Sequence, residues 1–218
     1  MPTTRIRKAK SRLPRHLQPR KAPVQSRSQA TVEAVLEAGS RILVAKKWDG
    51  LSMNEVAQVA GVSPGTLYQY FPEKAALVAE LIERISQREV EFQMARFAEL
   101  PEGASLTETL DLIVRGTLEF QRKEGELMRA LLECVPHLGR HELLVERVQG
   151  VAAMFRGLLE QHGMKDVELA THVLVNAIHS LTHDGVLPRP ATLDDETLAR
   201  EIKRLVLGYL RADQGPNS

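Results

Sequence analysis

Ser63, Gly65, Thr66, Tyr68, Gln69 and Tyr70 lie within eight consecutive residues and concentrate hydroxyls, phenols and an amide in one place. Such groups reach phosphate oxygens and the edges of bases. The other chemistry-bearing residues make weaker constellations. His172, His179 and His183 fall on one predicted helix, and the last two share a face at i, i+4. That spacing can hold a metal, but the glutamate of an H-E-x-x-H site is absent. Histidines buried or paired at a helical interface explain the three more simply. Cys134 and His137 stand on either side of Pro136. A nucleophile–base pair there would need an orienting group and an oxyanion site, and neither is apparent, so Cys134 reads as a buried structural cysteine. No P-loop, GxGxxG or GxSxG pattern occurs. The sequence points away from an enzyme, and neither a metal nor a cofactor is expected.

The stretch Leu51–Lys74 must position the first group. Ser52 followed by Glu55 predicts a capping box at the start of a short helix carrying Val56, Ala57, Val59 and Ala60. Gly61 follows, where a chain leaving a helix needs a left-handed residue without a Cβ penalty. Ser63 is a second N-cap candidate, and Pro64 suits a first helical position. The second helix should run to about Phe71 and stop at Pro72. Ala57, Gly61 and Leu67 supply the small contact residue, the turn glycine and the apolar seat that two crossing helices need. The expectation is a helix-turn-helix whose second helix enters a DNA major groove. An αα-hairpin of purely structural purpose is the alternative, but it has no need of an exposed Thr/Tyr/Gln/Tyr face.

This stretch, above all VAQVAGVSPGTLYQYFPEKAAL, resembles the N-terminal domain of the TetR family of one-component bacterial transcription regulators. The specific resemblance covers about residues 28–80; beyond them it rests on length and an all-helical pattern. It implies an all-α fold and a ligand-responsive regulator, a repressor that binds a palindromic operator as a homodimer and is released by a small-molecule effector. DNA-facing residues would be Ser52, Ser63, Gly65, Thr66, Tyr68, Gln69, Tyr70, Lys74 and Arg27. Lys74 matches lysines that contact the phosphate backbone in the family, and an ordinary exposed lysine is the competing reading. Glu73 departs from the family, whose members often carry a neutral residue there.

Length and composition agree with one domain or two closely packed ones: 218 residues, 43% hydrophobic, 26% charged. The lone cysteine excludes an intramolecular disulfide and suits a reducing cytoplasm. No apolar run approaches a membrane span, and no secretory signal is expected at the N-terminus. Charge is uneven. The first 32 residues hold nine cations and no acid, leaving 20 basic against 28 acidic residues in the rest. Residues 1–26, with Pro14, Pro19 and Pro23, read as a disordered basic arm. It either tracks DNA or is an idle tail; the prolines argue against an organellar presequence.

The remaining chain reads as helices throughout. The expected divisions are a DNA-binding domain over 27–74, a helical effector-binding and dimerisation domain over 75–213, and a tail over 214–218. The first helix should span Ser28–Lys46, with Val32, Val35, Leu36, Ile42 and Leu43 inward and Trp48 packing at the following turn. A long helix should run from Glu73 to Phe97. Ser105 and Glu108 predict a capping box before a helix ending near Phe120. A separate short helix, Glu126–Val135, should follow, then a long one from Arg140 to Gln161 closed by His162–Gly163. Val167–His183 is apolar nearly all round, Asp184–Thr192 is a proline-rich connection, and Leu193–Ala212 is amphipathic.

Leu174, Ile178, Leu181, Leu198, Ile202, Leu205 and Tyr209 on the last two helices are the expected dimer interface, two helices from each subunit forming a four-helix contact. A monomeric core is the alternative. The resemblance also implies an effector pocket, for which Phe92, Phe120, Leu131, His137 and Phe155 are the candidates, although core packing explains each equally well. Two rival functions remain: a helical small-molecule-binding or enzymatic bundle, and a nucleoid-type DNA binder without sequence preference.

Overall fold

The computed structural model describes residues 26–138, 152–153, 155–182 and 194–213. The basic arm, the Asp184–Thr192 connection, the first part of the helix expected from Arg140, His183 and the C-terminal tail lie outside the described residues. Those described are helical with no strand among them. The order is α1 (Ser26–Gly50), α2 (Met53–Val59), α3 (Pro64–Tyr70), α4 (Lys74–Phe97) and α5 (Leu106–Cys134). A 3₁₀ turn (Val135–Leu138) follows, then α6, described over 155–161, α7 (Val167–Thr182) and α8 (Asp195–Asp213). The chain forms two compact units, Met1–Leu81 and Ile82–Ser218, and the boundary falls inside α4.

In the first unit, Val32, Val35, Leu36, Ile42 and Leu43 of α1 are buried, as their spacing predicts. The α1 span conceals a break: Lys47 has φ 60° and ψ −173°, so regular helix ends at Lys46. A side chain in that region of φ/ψ is strained, and only surrounding structure holds it there.

The second unit corrects one division. The stretch 121–125 does not end a helix; α5 continues through it for 29 residues. Its polar run is the solvated side of one helix. Arg88 pairs with Glu124 at 3.0 Å and Arg122 with Asp195. The start of α5 follows expectation: Ser105 Oγ accepts from the Glu108 amide, and Glu108 accepts from the Ser105 amide at 2.8 Å. The Ser105 hydroxyl, donating to Glu108 Oε2 at 2.7 Å, and to a lesser extent the Ser105 amide hold the Glu108 carboxyl below its usual range.

Leu110, Ile113, Val114 and Leu118 of α5 form a core with Phe155, Leu159, Leu174, Ile178, Leu198, Ile202, Val206 and Leu210. An ionic seam runs along the same helices. Asp111 accepts from Arg115 at 2.7 Å and from Lys203 at 2.5 Å, and Arg115 also forks onto Glu196. Burial pushes the Asp111 carboxyl up, but the bonds from Lys203 and Arg115 outweigh it and hold it below its ordinary value.

Candidate nucleic-acid interface

The turn between α2 and α3 is fixed by backbone chemistry. Val62 N–H donates to Ala57 C=O at 3.0 Å and Gly61 N–H to Gln58 C=O at 3.2 Å. This is the paired bonding of a Schellman motif, with Gly61 as its left-handed residue at φ 67°. A side chain at Gly61 would meet nothing within 4 Å, so the glycine is needed for its backbone conformation and not for space. Ser63 then caps α3. Its Oγ accepts from the Thr66 amide at 3.1 Å and lies 2.8 Å from Thr66 Oγ1, while Pro64 occupies the first turn. Ala57 and Leu67 are fully buried, seating the two helices on one another.

The capping box expected at α2 does not form. Ser52 occupies the N-cap position with no side-chain bond, because Glu55 turns away to Lys46 at 2.7 Å and 2.9 Å. Lys46, not singled out from the sequence, therefore ties the end of α1 to α2. Its i, i+9 spacing carries no local signal by which sequence could have found it.

Burial divides the residues expected to face DNA. Ser63, Gly65, Tyr68 and Gln69 are exposed on the outer side of α3, Thr66 is half-buried, and Ser52 is exposed at the start of α2. Tyr68 keeps 42% of its surface free. Tyr70 is buried, because three residues after Leu67 it returns to the inner side of the helix. The exposed row is thus Ser63, Gly65, Tyr68 and Gln69, joined at the end of α2 by Gln58 and by Val59, an exposed apolar residue next to the turn. Val59 escaped the sequence reading because its type suggests core.

Lys74, expected to face either a phosphate or solvent, is half-buried and already engaged. Its ammonium donates to Trp48 C=O at 3.1 Å and stands 4.4 Å from the centre of the Trp48 ring. That contact pins the start of α4 to the last residues of α1, past the break at Lys47, and leaves two N–H donors. Arg27 lies in the first turn of α1 with its side chain outside the described residues.

The pocket and interface candidates are also sorted by burial. Phe92 and Phe120 form a tilted ring pair with centroids 5.7 Å apart. Phe155 belongs instead to the α5–α8 core, Leu131 is buried, and His137 is exposed on the 3₁₀ turn. The structure does not gather these five into one site. Cys134 is buried, its thiol donating to Ala130 C=O at 3.1 Å. Of the dimer candidates, Leu174, Ile178, Leu198 and Ile202 are core residues of their own protomer, and Tyr209 is half-buried against that core. Leu181 and Leu205 are exposed, at 45% and 54%, together with Leu169 at 55%. His172 is exposed and His179 half-buried.

Two short helices crossing at a Schellman turn, the second offering hydroxyl and amide groups outward, define a helix-turn-helix DNA-binding protein within an all-α chain. Known proteins agree. Residues 35–81 match the model of bacterial regulatory proteins of the tetR family, and residues 105–210 that of the tetracyclin repressor-like C-terminal domain. An uncharacterized HTH-type transcriptional regulator of Mycobacterium tuberculosis is 27% identical over 71% of this chain and 76% of its own. The Escherichia coli regulator UidR is 27% identical over 82% of this chain and 89% of its own. A crystal structure of a TetR-family regulator from Mesorhizobium loti has the same fold, with a TM-score of 0.67 and 21% identity over 86% of this chain and 98% of that one. The chain belongs to the TetR family, and it is a DNA-binding transcriptional regulator.

Proposed function

We propose that this regulator is a homodimeric repressor that binds a palindromic operator and is released by a small-molecule effector. The observation that carries the DNA-binding part is the exposed row Ser63, Gly65, Tyr68 and Gln69 on a helix anchored by buried Leu67 and Tyr70. In a dimer, two such helices enter successive major grooves about one helical turn, ~34 Å, or a multiple of it apart. Ser52, Thr66 and the remaining donors of Lys74 would hold the register through phosphates, and Arg27 with the basic arm would add a sequence-independent attraction.

The second copy would cover the apolar residues that the protomer leaves exposed. On α7, exposed Leu169 and Leu181 continue a stripe with half-buried Val173 and Ala177 at every fourth residue, and α8 adds exposed Leu205 and half-buried Tyr209. The effector would act inside residues 82–213, and it releases DNA only by binding the released form more tightly than the DNA-competent form. Among the described residues no helix is long and apolar enough to cross a membrane. We place the protein in the cytoplasm, acting without catalysis.

Selection of short duplexes from a random pool by the full-length chain, at two salt concentrations, tests this reading. An enriched palindrome bound by two chains is expected. Salt-sensitive retention without an enriched motif would replace it with a nucleoid-type binder, and no retention at either salt would leave a helical bundle with a structural hairpin.

A further inference from the structure

We propose that Gln93 and Arg96, packed against Gly116, form a clamp for one hydroxyl oxygen and so select a neutral alcohol as effector. The proposal rests on the effector-binding reading of residues 82–213.

Gln93 is 5% exposed, between α4 and α5. The Thr117 hydroxyl donates to Ile113 C=O at 2.9 Å, so it must accept from Gln93 Nε2, 3.1 Å away. This fixes the orientation of the amide, whose second N–H approaches Ile113 C=O at 3.5 Å. Gln93 Oε1 is left buried with no donor, and Arg96 Nε is buried with no acceptor. Both converge on Gly116. A Cβ there would lie 2.6 Å from Gln93 Oε1 and 3.2 Å from Arg96 Nε. The two atoms are therefore separated by no more than the sum of those distances, roughly twice the length of one hydrogen bond.

An orphan acceptor and an orphan donor within that bound suit a single oxygen that donates to one and accepts from the other. A hydroxyl does both; a carbonyl only accepts, and an ammonium only donates. Charge argues against an anion. Arg96 Nη1 and Lys123 both pair with Glu119, at 2.6 Å and 2.8 Å, and Arg88 pairs with Glu124 at 3.0 Å, so each nearby cation already has a carboxylate partner. The Phe92 ring, paired with Phe120, stands 5.7 Å from the Arg96 guanidinium carbon and brings an aromatic neighbour to the clamp. Water carries the same hydroxyl chemistry and would be displaced by the alcohol.

The test is ¹H–¹⁵N spectroscopy of the full-length protein titrated separately with benzyl alcohol, benzaldehyde and toluene. Benzyl alcohol is expected to bind about fivefold more tightly than the other two, with the largest shift at the Arg96 Nε–H resonance. Gln93→Leu should remove that preference. Gly116→Ala should remove it too, because its Cβ displaces Oε1 while both polar side chains remain. Equal affinities, or a preference unchanged in both variants, would overturn the clamp. An Arg96 Nε–H signal that exchanges with water but ignores benzyl alcohol would mark a water site only and overturn it as well. Clamp-dependent binding of benzyl alcohol supports the clamp whatever happens to DNA. If that binding leaves retention on the selected duplex unchanged, it is the effector reading that fails.

Discussion

The two units hold their polar groups in opposite ways. In the first, the bonds that shape the DNA-facing surface join near neighbours: Ser63 to Thr66, Val62 to Ala57, Gly61 to Gln58. In the second, they join distant residues: Gln93 to Thr117, Asp111 to Lys203, Arg115 to Glu196. Local bonds set the shape of the α2–α3 turn, with Lys46–Glu55 and Lys74–Trp48 tying it to its neighbours. Long-range bonds make a body in which one exchanged partner can shift whole helices, which is what a ligand-responsive element requires.

Five substitutions probe that contrast. The largest effect should come from Leu67→Ala, which empties the fully buried seat between α2 and α3. A loss of about 3 kcal/mol in chemical denaturation is expected, with operator binding lost. Asp111→Asn cuts the seam between α5 and α8 and should cost about 1–2 kcal/mol. Its pH dependence follows from a carboxyl held below its ordinary value. That contribution is fully present above the ordinary aspartate range and disappears as pH falls below it. The gap between wild type and variant should therefore stay constant from neutral pH to about 5 and close below about 4. A gap that persisted unchanged in acid would show that the seam acts by packing alone.

Smaller effects sharpen the local side. Ser63→Ala removes a working cap and should cost about 1 kcal/mol, whereas Ser52→Ala should change stability by only a few tenths, since Ser52 makes no side-chain cap bond. Equal costs at the two serines would contradict the capping geometry. Lys47→Gly should raise stability by about 0.5–1 kcal/mol, because glycine adopts φ 60°, ψ −173° without the strain a side chain meets.

The same contrast decides what could be read in advance. Gly61, Ser63 and Pro64, and the capping box of Ser105 with Glu108, announce themselves through residues within a few positions of one another, and the structure places them as the sequence predicts. The Ser52–Glu55 box failed for a physical reason. Glu55 has a lysine from α1 within reach, and a charged partner outcompetes a neutral amide. Tyr70 carries the phenol of a recognition group, but its helical phase matches Leu67 and the fold buries it. Leu174, Ile178, Leu198 and Ile202 show the limit of an apolar stripe. Their type marks them as covered, and only the fold reveals that their own protomer covers them. Where α5 continues through a polar segment, its charged residues meet Arg88 and Asp195, partners far away in sequence.

The central claim is that the outward row of α3 reads sequence while Leu67 and Tyr70 only hold it in place. Competitive titration of wild type and Tyr68→Ala, on the selected duplex and on a scrambled one, tests this most directly. Tyr68 is exposed and lies outside the buried core, so the variant should fold with at most a small loss of stability. It is expected to lose about tenfold or more in affinity for the selected duplex while binding the scrambled duplex as wild type does. An equal loss on both duplexes, or no loss on either, would contradict the assignment of α3 as the helix that reads the operator.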